Sequence, residues 1–230
     1  WQALSDEKPL TSDYAAGVAR CDYGLGILYL ESGRLEDAQP LLMASEGRRR
    51  RLTERHRQLP SFRDDLATSL DGIGRLLHAK GELALAADEY RDALVIREDL
   101  RNTFPDAPKY EVAYAASQMN LGDLYVDSGQ YAQSSDCFRV AIDVLQRVVD
   151  ANHDAVNYRQ HLAGAYHNLA LSMGLSEEST DTKAAVELYQ HALRVWHADE
   201  LTPSRRRETA VTCLLMARLL GSGGEFQEGI

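Results

Sequence analysis

The sequence predicts an all-α fold, a right-handed superhelical solenoid of antiparallel helix pairs, and three observations carry that prediction. Residue types recur in register at a step of 48: Leu25, Ile73, Leu121 and Leu169; Tyr14, Phe62, Tyr110 and Tyr158; Ala19, Ala67, Ala115 and Ala163; Leu4, Leu52, Leu100 and Val148. A fixed period of this length marks stacked supersecondary units. Each copy carries apolar residues at steps of three and four, twice over, which is helix spacing. Between the two helical runs stands Gly33, Gly81 or Gly129, and glycine tolerates the left-handed conformation that ends a helix.

Composition agrees with a folded, water-facing chain. Of 230 residues, 44% are apolar, enough for a core. No run of about 18 apolar residues is present, so no membrane insertion is expected. The net charge of −10 argues against nucleic acid as a partner, because that binding needs lysine and arginine to neutralise phosphates. Cys21, Cys137 and Cys213 form no CxxC pair. Such a sparse, odd set points to a reducing, cytoplasmic location. The chain opens at Trp1 without an initiator methionine or a signal-peptide pattern, which reads as a piece of a longer array or larger protein.

Taken in order, residues 1–8 align with the end of the second helix in later copies and are read as the tail of a preceding repeat. Repeat 1 spans residues 11–58 and contains Pro40; beyond the first helical turn a proline removes a backbone hydrogen bond and bends the helix. Repeat 2 spans 59–106 and repeat 3 spans 107–154. In repeat 3, Val112, Ala115, Met119, Leu121 and Leu124 trace a first helix, and Tyr131, Ser134, Phe138, Ala141, Ile142, Leu145 and Val148 a second. Helices of about 20 residues would be roughly 30 Å long. Repeat 4, 155–202, has a longer inter-helix loop near 174–182. Ala141 therefore finds its counterpart 51 residues on, at Ala192. A truncated repeat 5 occupies 203–230. Pro9, Pro60, Pro105, Pro108, the polar run from Asn152 to Asp154, and Pro203 separate the copies.

Small residues hold two columns, Gly26, Gly74, Gly122, Ala170 and Ala217 on the first helix, and Ala38, Ala86, Ser134, Ala185 and Gly229 on the second. Facing small side chains let helix axes approach at the short end of the usual range. Tyr29, Tyr125, Leu42, Tyr90, Phe138 and Tyr189 are expected to fill the space around that contact. With Leu121, Gly122, Tyr125, Gly129, Ser134, Phe138 and Ala141 in repeat 3, and Ile73, Gly74, Leu77, Gly81, Ala86, Tyr90 and Ala93 in repeat 2, the chain resembles the tetratricopeptide repeat (TPR) family. The period is 48 rather than the family's 34, and the proline that usually ends the second helix is missing. The strings YRDALVIREDL and YRQHLAGAYHNLA resemble long-period bacterial repeats attached to Ser/Thr kinase or other signalling domains.

Catalytic and metal constellations are not evident, and no cofactor is expected. His153, His161 and His167 stand 8 and 6 residues apart, whereas one helix face gathers metal ligands at steps of three or four. His191 and His197 fail the same test. Asp64-Asp65, Glu98-Asp99 and Glu177-Glu178 are adjacent pairs that diverge on a helix. The GLG at 24–26 and GIG at 72–74 lie within helices and read as packing glycines. The cysteines lack a neighbouring base and read as buried small residues. The basic run EGRRRRLTERHR, residues 46–57, offers either a nucleic-acid or acidic-partner patch or charges that meet Glu98 and Asp99 across stacked second helices. The acidic chain favours the second reading.

Stacked helix pairs curve to expose a concave surface lined by first helices. The resemblance implies that partner-binding positions lie there: Arg20, Tyr23 and Ile27; Thr68, Asp71, Arg75 and His78; Met119, Asn120, Asp123 and Asp127; His167, Asn168 and Leu171. Asn120 and Asn168 share one repeat position, and an Asn amide can pair with the backbone of an extended peptide or bridge neighbouring helices. Tyr23 and Ile27 replace the Lys and Asn of the clamp with which some relatives grip chaperone tails, which argues against that partner. The expected function is a non-catalytic protein- or peptide-binding scaffold. A regulatory module of a larger signalling enzyme, kinase or protease, is the alternative. Structural self-assembly through uncapped ends is the third reading.

Overall fold

The computed structural model describes residues 10–151, 156–176, 182–198 and 203–222. Among these are nine helices and no strand: α1 (Leu10–Glu31), α2 (Leu35–Arg55), α3 (Pro60–Ala79), α4 (Leu83–Thr103), α5 (Pro108–Asp127), α6 (Tyr131–Ala151), α7 (Val156–Leu175), α8 (Thr182–Ala198) and α9 (Pro203–Ser222). The expected helix tail at 1–8 with Pro9, the linker Asn152 to Asp154 with His153, the Glu177-Glu178 pair, the His197 side chain and Gly229 lie outside what is described. The first helices α3, α5 and α7 begin at residues 60, 108 and 156, and the second helices α2, α4 and α6 at 35, 83 and 131. Helix α8 begins 51 residues after α6, at 182, so the three added residues fall between α7 and α8.

The chain divides into two compact units, Trp1–Tyr110 and Glu111–Ile230. In the first, α1 packs on α2, α2 on α3 and α3 on α4; in the second, α6 packs on α7, α7 on α8 and α8 on α9.

One hydrogen-bonded turn is used three times inside the repeats. Gly33, Gly81 and Gly129 have φ of +73°, +79° and +73°. Each glycine N–H donates three residues back, to Leu30, His78 or Val126, and the next N–H donates five back, to Tyr29, Leu77 or Tyr125. That pair of bonds is the Schellman cap, which satisfies carbonyls left over at the helix end. Between repeats a ring pair fixes the turn: His56 on Phe62 at 5.4 Å, and Phe104 on Tyr110 at 5.7 Å, the same two positions 48 residues on. Pro60, Pro108 and Pro203 open α3, α5 and α9, where the absent N–H would have had no helical partner. Pro40 is the sixth residue of α2, past the first turn, yet the helix runs on to Arg55.

The small-residue columns work differently from the expected face-to-face contact. A Cβ at Gly26 would lie 2.8 Å from Leu42 Cγ, one at Gly74 2.5 Å from Tyr90 Cε1, and one at Gly122 2.7 Å from Phe138 Cε1. Each glycine is a socket for the large residue of its partner helix, and Tyr90 and Phe138 are fully buried in theirs. The second-helix column Ala38, Ala86, Ser134 and Ala185 is fully buried too. Its exception is chemical: the Ser134 hydroxyl is buried without a hydrogen-bond partner. A buried, unsatisfied polar group costs about 1–3 kcal/mol. Ser134→Ala, which installs the alanine of the sister copies, is therefore expected to stabilise the protein by about 1 kcal/mol, read as a higher urea midpoint at an unchanged slope.

A second pair of columns joins each first helix to its own second helix. Positions 23, 71, 119 and 167 step by 48; positions 49, 97 and 145 do the same, and 196 follows after the three-residue insertion. Arg49 lies over the Tyr23 ring at 4.9 Å. Arg97 Nη1 donates to Asp71 Oδ2 at 2.5 Å. The His167 and Trp196 rings are 5.8 Å apart. In repeat 3 the same two positions hold Met119 and Leu145. One architectural position thus holds a cation–π, an ionic and an aromatic pair in three of the copies.

On α1 the stripe Tyr14, Val18, Leu25 and Leu28 is exposed, and Cys21 within it is exposed too. Of their counterparts on α3, Leu66, Ser69 and Leu76 are buried and Phe62 and Ile73 half-buried, because α2 packs on α3 and no described helix covers that side of α1. Two of the three cysteines, Cys21 and Cys213, are therefore at the surface rather than buried. The half-buried Cys137 thiol is pushed up to about 11 by burial, with Asp136 adding to the rise.

Candidate functional site

In the first unit, the sequence-derived positions separate into surface and interior. Arg20 is exposed on α1. Arg75 on α3 reaches Glu31 on α1 at 3.4 Å, an exposed pair of a kind that contributes about 0–1 kcal/mol. His78 is half-buried on the last turn of α3. The other four face inward. Tyr23 lies against α3, its ring occupying the space where a Cβ on Gly72 would stand 2.7 Å away. Burial raises its phenol pKa, with Arg75 opposing and Asp71 reinforcing the rise. Ile27 packs on the cluster of Ala38, Leu42 and Leu76. The Thr68 hydroxyl donates to the Asp64 carbonyl at 3.0 Å and accepts from Arg97 Nη2 at 3.2 Å. Asp71 is buried and bonded to Arg97, so it offers a partner no surface.

Beneath this face lies a polar network that the sequence reading missed. The Ser45 hydroxyl donates to the Ala19 carbonyl at 2.7 Å. Arg49 Nη1 donates to the Asp65 carbonyl at 2.7 Å and to Ser69 Oγ at 3.0 Å. Burial lowers the Arg49 pKa, with Asp65 opposing. The network ties α1, α2 and α3 together through a cation, and it corrects the reading of the basic run. Arg48 bonds Asp22, Arg49 is internal, and Arg50 pairs with Glu46 on its own helix at 2.6 Å. Asp99 finds Arg63 on α3 at 2.6 Å rather than Arg50 or Arg51 on α2. Only part of the run faces water, and three of its four consecutive arginines are already engaged.

In the second unit, α5 and α7 carry a short polar strip joined by one hydrogen bond. Asn168 Nδ2 donates to Asp123 Oδ1 at 2.8 Å, joining successive first helices. Asp127 is exposed one turn along, while Asn120 and Leu171 are half-buried. Met119 turns toward α7, its methyl 3.4 Å from where a Cβ on Gly164 would lie. Protein atoms around the Asp123 carboxyl push its pKa up to about 7, with Asp127 adding to the rise and Asn168 opposing it. The residue is nonetheless exposed. His167 departs from this surface: it packs against Tyr189 and Trp196 and bonds Thr212. Of the two asparagines in one repeat position, Asn168 bridges helices, whereas the Asn120 amide makes no hydrogen bond to a described residue.

Among the described residues no group of three or more His, Cys, Asp or Glu is placed to hold a metal ion, and no helix is long and apolar enough to cross a membrane.

Comparison with known proteins agrees with this architecture. Residues 115–155 match the family model described as Tetratricopeptide repeat. No curated protein matches the sequence. Among solved structures, BtubC (BKLC) from P. vanneervenii is similar with a TM-score of 0.72 at 18% identity, over 98% of this chain and 80% of that one. A putative kinesin light chain with nearly identical TPR-like repeats from Podosopora anserina is similar with a TM-score of 0.63 at 19% identity, over 93% of this chain and 90% of that one. A singly substituted form of that kinesin light chain gives 0.64 at 17% identity, over 94% and 90%. The chain has a TPR-like helical-repeat fold.

Proposed function

We propose that the chain is a non-catalytic scaffold that binds a protein or peptide on the solvent faces of its first helices. The observation that carries this reading is the α5–α7 strip. There Asp123 and Asn168 meet at 2.8 Å across two repeats, Asp127 stands exposed, and Asn120 keeps both donor and acceptor uncommitted among the described residues. Such a strip offers hydrogen-bond partners to an extended backbone with the half-buried Leu171 beside them. It holds no nucleophile, base and orienting group in mutual reach, as chemistry would require. Three free cysteines suit a reducing compartment such as the cytoplasm.

Site-specific photocrosslinking tests the assignment. A photoreactive amino acid at position 127 is expected to capture a partner from native extract, and the same residue at Val140, exposed on second helix α6, is not. Adding Asn120→Ala should weaken the adduct. Capture at position 140 alone, or at neither position, rules the first-helix assignment out.

A further inference from the structure

Helix α9 packs chiefly on α8 and touches α7. Toward α7 it offers two side chains. Leu219 approaches Gly174, where a Cβ would lie 3.1 Å from its methyl. Thr212 is fully buried, and its hydroxyl shares a 2.8 Å hydrogen bond with His167 Nδ1. His167 is itself wedged between two rings of α8, Tyr189 at 5.4 Å and Trp196 at 5.8 Å. One imidazole therefore touches α8 and α9 from α7, at the pair position that Arg97 and Asp71 neutralise in repeat 2.

Among the described residues no carboxylate balances this imidazole. From α8 its titratable neighbour is the Tyr189 phenol, kept neutral by a pKa that burial pushes up to about 12. From α9 the group in contact is the neutral Thr212 hydroxyl. On α6, Gln146 bonds Tyr166, and Asp150 and Asp143 act on that phenol rather than on His167. On α5, Asp123 is engaged by Asn168. Burial is what acts on the His167 ring, holding its pKa below the ordinary imidazole value.

We propose that His167 is a proton-operated latch for α9: neutral, it seats α9 on α7 and α8, and on taking up a proton it releases the helix. A charged imidazole needs water or a counter-ion. The His167 ring is only half-buried, and opening the α7–α9 contact completes its hydration. The sign follows from the two states. Released, His167 titrates near the ordinary value of about 6.5; seated, it titrates lower. The released state thus binds more protons as the pH falls. The attachment is complete above about pH 6.5 and weakens below it. Release bares the surfaces that Thr212 and Leu219 cover, on α7 as well as on α9.

Hydrogen–deuterium exchange of the full chain at about pH 7.5 and 5.5, corrected for intrinsic exchange, tests the latch. Amides of α9 are expected to lose protection several-fold at the lower pH while those of α5 do not. His167→Gln should abolish that acid response. His161→Gln should retain it, although His161 on the same helix is also held low by burial. Unchanged α9 protection in the wild type overturns the proposal, as does an acid response that survives His167→Gln. Should His167→Gln free α9 at both pH values, NMR titration of the wild-type imidazole decides. A midpoint below about 6.5 upholds the latch, and one at or above it overturns the latch.

Discussion

Gly74→Leu is expected to lower stability by about 3 kcal/mol, the upper end of the usual overpacking range of about 1–3 kcal/mol. At roughly 2–4 °C per kcal/mol for a chain of this length, the thermal midpoint should fall by about 6–12 °C. The cause is local. A Cβ at residue 74 would lie 2.5 Å from Tyr90 Cε1 and 2.7 Å from Cδ1, and Tyr90 is 1% exposed, so its ring has nowhere to go. Even Gly74→Ala must shift α4 away from α3. Gly24 on α1 supplies the control. It too lies in a helix interior, but a Cβ there meets nothing within 4 Å. Gly24→Ala should therefore raise stability by about 0.5–1 kcal/mol, the ordinary gain from removing a helical glycine. Opposite signs for the two alanine variants, measured by urea unfolding, are the expected result. Equal shifts of one sign would show that the socket is not what holds Gly74.

These two glycines show how far the sequence could be read. Register placed both in helices, because the 48-residue step and the turn glycines act along the chain, where a sequence is explicit. It could not say which glycine faces a ring, since that depends on how one helix rotates against the next. The same reasoning explains why facing small residues were expected where Gly26, Gly74 and Gly122 instead receive Leu42, Tyr90 and Phe138. At the candidate site, the helix carrying each residue was legible, and its direction was not. Tyr23, Asp71, Met119 and His167 share one repeat position that the sequence assigns to the surface, yet all four turn toward neighbouring helices. A signal was available in the second-helix column of Arg49, Arg97, Leu145 and Trp196. Arginine recurring at a step that elsewhere holds Leu and Trp marks a core position, and its partner column could have been sought on the first helix. Asp123 and Asp127 differ from Ile27, Arg75 and Leu171 or from Glu31 in the other copies, and variation without a size rule matches their exposure.

Asp71→Ala is expected to cost about 3–5 kcal/mol, because it strips a buried cation of its main counter-ion. Asp71 and Arg97 are 6% and 5% exposed, and their 2.5 Å contact joins α3 to α4. A second carboxylate, Asp64, stands 3.8 Å from Arg97 Nε. Burial raises its pKa while Arg97 lowers it, so it is a poor substitute. Arg97→Leu alone should be comparably harmful, leaving Asp71 charged in the same dry space. Replacing both is a different matter, since desolvating two ions can consume what their attraction returns, and an apolar pair of similar volume is often neutral or better. Repeat 3 holds apolar residues, Met119 and Leu145, at the same two register positions. Asp71→Met with Arg97→Leu should therefore recover most of the loss, giving a large coupling energy in a double-mutant cycle read by urea unfolding. A double variant no more stable than the worse single one would mean that the chemistries at this position are not interchangeable. Recovery would mean that the repeat position asks for mutual satisfaction of two side chains rather than for charge, and that copies can differ in chemistry while keeping one geometry.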